Sequence, residues 1–147
     1  MKKTVFTIII SLLLPSLFAQ EGRKQVIYTE KAPKPIGPYS QGILAGNTLY
    51  MAGQIAIDPK TGKMDTADIE SEIRRVLKNL GEVLTAGGMK YANIVKATIY
   101  TTDLKYFKTI NAIYGEYFKE APPARETVQV TGLPGKARVE ISAIAVK

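Results

Sequence analysis

Hydrophobic residues follow two different periods along the chain, and the change of period separates helices from strands. From Asp68 onward, apolar residues recur every three or four positions, which predicts an amphipathic helix that ends at Gly87 and Gly88. The residues of its apolar face are Ile69, Ile73, Val76, Leu77, Leu80, Val83 and Leu84. A second predicted helix follows the capping residue Asp103 and ends before Pro122. Its inward residues are predicted to be Phe107, Ile110, Tyr114, Tyr117 and Phe118.

Shorter apolar stretches predict strands around these helices. Residues 25–29 alternate weakly and indicate an edge strand, whereas residues 43–45 and 48–52 flank a two-residue loop typical of a tight hairpin. Residues 94–101 are rich in β-branched side chains, and closing strands are predicted at residues 127–130 and 138–146. The order of these elements predicts a single α+β domain in which both helices pack on one face of a sheet.

Two charged residues on the closing strands are the main candidates for chemistry. Because side chains alternate along a strand, Arg125 and Thr127 share one side and Glu126 lies on the other. The strands of Arg125 and Glu140 are expected to be neighbours, and if they pair so that these two side chains face together, they form a polar pocket. A planar guanidinium matches a carboxylate and a glutamate can hold water, so the pair suits a small organic acid that reacts with water. The sequence leaves the register open, and a plain cross-strand ion pair is the alternative.

Composition removes most common catalytic arrangements. The chain has no histidine and no cysteine, which excludes Ser-His-Asp and Cys-His catalysis as well as disulfides. Zinc sites draw mainly on those residues, and no calcium-loop, phosphate-loop or dinucleotide-type pattern occurs. We therefore expect neither a bound metal nor a cofactor, and chemistry carried by Arg, Lys, Tyr, Glu and Asp.

Residues 1–19 resemble a secretory signal peptide, which predicts an exported protein, periplasmic or secreted, with a mature domain at residues 20–147. Lys2 and Lys3 form a basic start, residues 5–18 are almost continuously apolar, and Ala19 supplies a small residue at the cleavage site. An uncleaved membrane anchor is the alternative, but this apolar stretch is shorter than the ~20 residues that span a bilayer. Without Lys2 and Lys3, 18 basic residues remain against 13 acidic ones. Because they are scattered, nucleic acid is a disfavoured partner.

Six short motifs occur in order over the predicted mature domain. They are residues 36–42 (IGPYSQG), 52–55 (AGQI), 58–62 (DPKTG), 111–114 (NAIY), 123–125 (PAR) and 139–141 (VEI). Together they resemble the reactive intermediate deaminase family, also called the RidA or YjgF/YER057c/UK114 family. The resemblance implies a chorismate-mutase-like α+β fold with a mixed sheet, a homotrimer with pockets between subunits, and hydrolysis of amino-acid-derived enamines or imines to 2-oxo acids and ammonia.

The resemblance also implies roles for individual residues. Arg125 is expected to grip the substrate carboxylate, Glu140 to hold the attacking water, and Tyr39 to line the pocket as a third catalytic residue. Less direct contributions to substrate binding are implied for Gly53, Thr127 and Asn111. Glu126 stands where the family usually has a small residue, and strand alternation predicts that it points away from Arg125.

Three functions follow in order of preference. The first is an exported imine and enamine deaminase that uses Arg125, Glu140 and Tyr39. The second is a non-catalytic exported trimer that binds a small acid or another protein. A nuclease, an activity reported within the family, ranks third because the chain has no histidine for acid-base work.

Overall fold

The computed structural model describes residues 24–147, which form one six-stranded sheet and two α-helices. The strands are β1 (Gln25–Ile27), β2 (Gly42–Ala45), β3 (Thr48–Gln54), β4 (Ile94–Thr101), β5 (Ala124–Gln129) and β6 (Val139–Val146). The helices are α1 (Ile69–Ala86) and α2 (Phe107–Tyr117). The predicted export signal lies outside the described residues.

The strand order is β1-β2-β3-β6-β4-β5, and all neighbours are antiparallel except the parallel pair β4 and β5. The predicted mixed sheet is therefore confirmed, and so is the hairpin between β2 and β3, where Gly46 has the positive φ of 59° that a tight turn requires. One expectation was wrong. The strands of Arg125 and Glu140 are not neighbours, because β4 lies between β5 and β6.

Helix α1 has the boundaries and the apolar face that the sequence predicts. Asp68 caps it by accepting a hydrogen bond from the Ser71 backbone N–H at 2.7 Å, and the chain leaves the helix through Gly87 and Gly88. All of the predicted apolar face is buried except Ile69, which is partly exposed. The helix packs on β3 and β6, and α2 packs beside it, so both helices lie on one face of the sheet.

The start of α2 differs from its prediction. Asp103 caps a short 3₁₀ turn rather than the helix itself, and α2 begins directly after that turn. Phe107 was expected to be inward but is 43% exposed, whereas Ile113, absent from the prediction, is buried. The period of a helix identifies its apolar face but not where along its length packing begins. In α2 the first two residues are exposed, and packing against the core begins at Ile110.

The face of the sheet opposite the helices is open and partly apolar. Val26, Tyr50 and Val128 lie on it and are each more than two-fifths exposed. Neither helix of residues 24–147 has the length and apolar character needed to span a bilayer.

Candidate functional site

Glu140 lies against the backbone of β3, at a point where the pairing of β3 with β6 is irregular. Met51 pairs with Ala143 but Gln54 pairs with Ile141, so β3 has one extra residue in this interval. This bulge brings Gly53 beneath the Glu140 side chain. A Cβ atom added to Gly53 would lie only 2.6 Å from the Glu140 Cδ, so the carboxylate occupies space that only glycine leaves free.

A cavity of about 260 Å³ opens around this carboxylate. We call it the Glu140 pocket, and its walls are Ile36, Tyr39, Ala52, Gly53, Ile55, Pro134 and Glu140. Tyr39 sits on a tight turn in which its N–H donates to the Gly37 carbonyl at 2.8 Å. Its hydroxyl accepts a hydrogen bond from the Ile36 N–H at 3.3 Å, so the hydroxyl proton stays available to another acceptor. The structure thus brings together three predicted site residues, Tyr39, Gly53 and Glu140.

Burial raises the pKa of Glu140 above its ordinary value. An Arg125 side chain beside Glu140 would have lowered this pKa instead. Within one chain no positive charge contributes to the shift of Glu140, and loss of water around the carboxylate is the cause. A carboxylate with a raised pKa is a stronger base than a free one, which suits a group that takes a proton from water.

Arg125 lies in a second cavity, of about 490 Å³, between β5 and α2. We call it the Arg125 pocket, and its walls are Asn111, Tyr114, Gly115, Phe118, Pro122, Pro123 and Arg125. The Arg125 Nη2 donates to the Asn111 Oδ1 at 2.6 Å, so these two predicted site residues are in contact. The Arg125 Cζ lies 4.9 Å from the centre of the Tyr114 ring, a cation–π distance.

The two pockets lie on opposite faces of the sheet. Arg125 pairs with Ala97 of β4, whose side chain is buried under the helices, whereas Glu140 pairs with Tyr100 of β4, which points to the open face. Because directly paired residues share a face, Arg125 and Glu140 point in opposite directions. Within one chain they form neither a common pocket nor the alternative cross-strand ion pair.

Thr127 and Tyr114 both lie in surroundings that differ from those the sequence suggested. Thr127 is on the same side as Arg125, as predicted, but its Oγ1 is buried, has no hydrogen-bond partner among the described residues and faces neither pocket. Tyr114 was predicted only as a core residue, yet its ring contacts the guanidinium of Arg125. Its position three residues after Asn111 on a helix is the sequence signal that places both beside Arg125.

Glu126 points away from Arg125, as strand alternation predicted. It pairs with Lys96 and accepts a hydrogen bond from the Thr98 Oγ1 at 2.6 Å, on the open face of the sheet. The Lys96 hydrogen bond, followed by that from Thr98, lowers the pKa of Glu126. Its charge is therefore matched locally and does not reach the Arg125 pocket. No cluster of acidic residues within residues 24–147 is suited to hold a metal ion.

The fold and the two pockets define a single-domain α+β protein of the YjgF-like type, with a mixed sheet backed by two helices. The Endoribonuclease L-PSP family matches residues 29–147, and the chain belongs to this family, which includes the RidA proteins. A homotrimer is typical of the family.

Three similar proteins illustrate this membership. A RutC family protein of Pyrococcus horikoshii is 51% identical over 84% of this chain and 98% of its own length. The 2-iminobutanoate/2-iminopropanoate deaminase of Homo sapiens is 44% identical over 84% of this chain and 90% of its own. The crystal structure of a Rid family protein from Yersinia pestis superposes with a TM-score of 0.82 at 47% identity, covering 84% and 99% of the two chains.

Proposed function

We propose that this protein hydrolyses small 2-imino and enamine acids to 2-oxo acids and ammonia, at sites that join the Arg125 pocket of one copy to the Glu140 pocket of the next. The observation that carries this proposal is the separation of the two pockets. One holds an arginine without a carboxylate partner among the described residues, and the other holds a half-buried carboxylate without a cation. The Arg125 pocket supplies the cation and the Glu140 pocket supplies the carboxylate that a complete site needs.

The open face of the sheet supports assembly of several copies. Val26, Tyr50 and Val128 are 58%, 51% and 42% exposed on a face that also bears Glu140. These exposed apolar side chains are distributed over β1, β3 and β5, which makes the open face as a whole a candidate surface for association. Since a homotrimer is typical of the family, we propose a trimer in which this face is covered and each Glu140 pocket meets the Arg125 pocket of a neighbouring copy.

The chemistry follows from the charges of the two pockets. The Arg125 guanidinium binds the substrate carboxylate and orients the adjacent C=N carbon. Glu140 holds a water molecule and takes one of its protons as the oxygen attacks that carbon. The nitrogen receives both protons of that water, the first by way of Glu140 and the second as the attached hydroxyl becomes the carbonyl of the 2-oxo acid, and it leaves as ammonia. The free proton of the Tyr39 hydroxyl is placed to donate a hydrogen bond to the departing nitrogen.

The names of relatives support the substrate class. The human relative is named for 2-iminobutanoate and 2-iminopropanoate, which are small acids of this kind. The word endoribonuclease in the family description suggests RNA, but this chain has no histidine to act as an acid-base pair in RNA cleavage.

The test is release of a 2-oxo acid from an imine that an amino-acid oxidase generates in the assay. Wild-type protein is expected to accelerate release, Arg125→Ala to abolish the acceleration, and Arg125→Lys to be impaired because an ammonium lacks the bidentate fork. Arg74→Ala is the matched control, since Arg74 lies on the surface in an ion pair with Glu116. The proposal would be contradicted if wild-type protein did not accelerate 2-oxo acid release, or if Arg125→Ala kept full activity.

The apolar stretch at residues 5–18 supports export as part of this proposal, and it also motivates the second candidate. Outside the cytoplasm the same scaffold could bind a small acid or another protein without turnover. Calorimetric binding of a 2-oxo acid with no imine hydrolysis would favour that candidate, and measurable turnover would end it.

A further inference from the structure

Helix α2 presents two neutral groups to Arg125 from one side. Asn111 and Tyr114 are three residues apart, so their side chains are neighbours on the helix surface. The Asn111 Oδ1 accepts one N–H of the guanidinium at 2.6 Å, and the Tyr114 ring lies 4.9 Å from its central carbon. The hydrogen bond and the ring contact together restrict where the guanidinium can lie.

The charge of Arg125 is left unmatched by this arrangement. Among the arginines of residues 24–147, Arg74, Arg75 and Arg138 each pair with a carboxylate. Arg125 has no such pair within the same residues, although it makes one of the shortest side-chain hydrogen bonds of the four. An arginine that is held in place by neutral groups keeps its attraction for an incoming carboxylate. Its surroundings are those of a prepared anion site and not of a structural ion pair.

The ring of Tyr114 is itself held firmly. It is 4% exposed and stacks on Phe118, with ring centres 4.3 Å apart and planes inclined by 24°. Its hydroxyl is buried and has no hydrogen-bond partner among the described residues. Burial raises the pKa of Tyr114 to about 12, while the nearby Arg125 charge opposes the shift, so the ring stays neutral. The hydroxyl thus makes no contact through which Tyr114 could act on Arg125. Any effect of Tyr114 on Arg125 must therefore come from its ring.

We propose that Tyr114 is a positioning residue for Arg125, whose ring face, together with the Asn111 amide, holds the guanidinium in the orientation that receives the substrate carboxylate. This inference rests on the proposed function, because it assigns a role within the same site. Tyr114 acts through Arg125 and touches neither the attacking water nor the reacting carbon.

Three variants of the full chain test the inference. Tyr114→Leu keeps an apolar group of moderate size but removes the ring, and we expect KM for a 2-imino acid to rise about tenfold with a smaller change in kcat. Tyr114→Phe restores the ring without the hydroxyl and is expected to recover most of the lost affinity. Tyr117→Leu is the matched control, because Tyr117 lies on the same helix and packs on Tyr91, away from Arg125. It should lower Tm but leave KM unchanged.

Two further measurements distinguish a loss of Arg125 orientation from a general loosening of the fold. Calorimetry with 2-oxobutanoate should show the same weakening in Tyr114→Leu, with affinity recovered in Tyr114→Phe. In the NMR spectrum, the Arg125 Nε–H signal, assigned with Arg125→Lys, should lose its aromatic ring-current shift in Tyr114→Leu and keep it in Tyr117→Leu.

The outcomes are distinct. An unchanged KM and an unchanged Arg125 signal in Tyr114→Leu would overturn the positioning role, as would equal damage in Tyr117→Leu or no recovery in Tyr114→Phe. Wild-type protein that binds 2-oxobutanoate and follows this pattern without turnover would contradict the proposed function alone. Wild-type protein that binds no carboxylate would overturn both.

Discussion

Arg125 and Glu140 point to opposite faces of one sheet, with strand β4 between their own strands. Neither residue can therefore complete the other's chemistry inside a single chain. A site that needs both must take them from two copies, and in a closed ring of three copies each contact between neighbours can supply one such pair. The consequence is a functional dependence between copies that can be measured directly.

Mixed assemblies of two inactive variants should regain activity. Arg125→Ala and Glu140→Gln are each expected to be inactive alone. When they are unfolded, mixed in equal amounts and refolded, about a quarter of the sites combine an intact Arg125 with an intact Glu140 from another copy. Imine hydrolysis at about a quarter of the wild-type rate per site is the expected result. Mixing the folded variants without unfolding is the control, and a refolded mixture with no activity would refute sites shared between copies.

Gly53→Ala should remove activity without unfolding the protein. The added Cβ would collide with the Glu140 carboxyl group, which is the movable end of a side chain, so the protein can adjust by displacing Glu140. Displacement of a catalytic group by about 1 Å can cost on the order of 100-fold in rate. We expect such a loss in kcat with a Tm close to wild type. Gly132→Ala is the matched control, because nothing lies within 4 Å of a Cβ at that position. Equal activity in the two variants would contradict the assigned place of Glu140.

The faces of individual elements were predictable from the sequence, but their arrangement was not. The period of α1 and the alternation along β5 and β6 are local properties, so the buried face of α1 and the opposite orientations of Arg125 and Glu126 were predicted correctly. Strands that follow each other closely in sequence usually pair, which favoured β5 beside β6. The parallel pairing of β5 with β4 is a long-range feature, and it placed β4 between them.

The second role of Tyr114 was hidden for a different reason. Its spacing from Ile110 is that of a core residue, and it is indeed buried. One surface of a buried ring can pack in the core while another contacts a functional side chain. Only the position of Arg125 shows that Tyr114 does both and is not simply a core residue. Gly53 was similarly ambiguous, since a glycine in a strand indicates either a bulge or the close approach of another group. Here Gly53 lies at a bulge and the Glu140 carboxyl group also approaches it closely.

The pH dependence of kcat should report the environment of Glu140. Burial raises the pKa of this carboxyl group above its ordinary value of 4.5, so protonation sets in at a higher pH than for a free side chain. In the proposed substrate complex the substrate carboxylate pairs with Arg125 of the neighbouring copy, so the charge of that arginine does not counteract this shift. Activity should therefore be present at neutral pH and fall as the pH drops through the raised pKa, before 4.5 is reached. An acidic limb centred below pH 4.5 would contradict a pKa of Glu140 that its partial burial raises.

Export should be visible as cleavage after Ala19. The basic start and the apolar residues 5–18 predict that a bacterial host exports the full chain and removes residues 1–19. Fractionation followed by N-terminal sequencing should find Gln20 as the first residue of the exported protein. Replacing Leu12 and Leu13 with Asp interrupts the apolar stretch and should keep the protein uncleaved. Uncleaved wild-type protein in the membrane fraction would favour the anchor alternative.

Glu72 should be the most stabilising acidic residue of the described chain, because it ties α1 to the start of the strand that carries Glu140. It is fully buried and accepts hydrogen bonds from the Arg138 Nε at 2.5 Å and from the backbone N–H groups of Arg138 and Val139. Glu72→Gln keeps the shape but removes the charge that Arg138 faces. Because Glu72 is buried while the Arg138 side chain is 28% exposed, we expect a cost of about 2 kcal/mol.

Glu116→Gln is the matched control for this change. Glu116 also pairs with an arginine, but the side chains of Arg74 and Glu116 are 46% and 50% exposed, so solvent screens the pair and the same substitution should cost less than about 1 kcal/mol. Urea unfolding at one fixed protein concentration measures both variants, since assembly makes stability depend on concentration. Equal stability losses would mean that the burial of Glu72 does not strengthen its contacts. A larger loss for Glu72→Gln, accompanied by reduced kcat, is expected because Glu140 lies only one residue beyond the anchored segment.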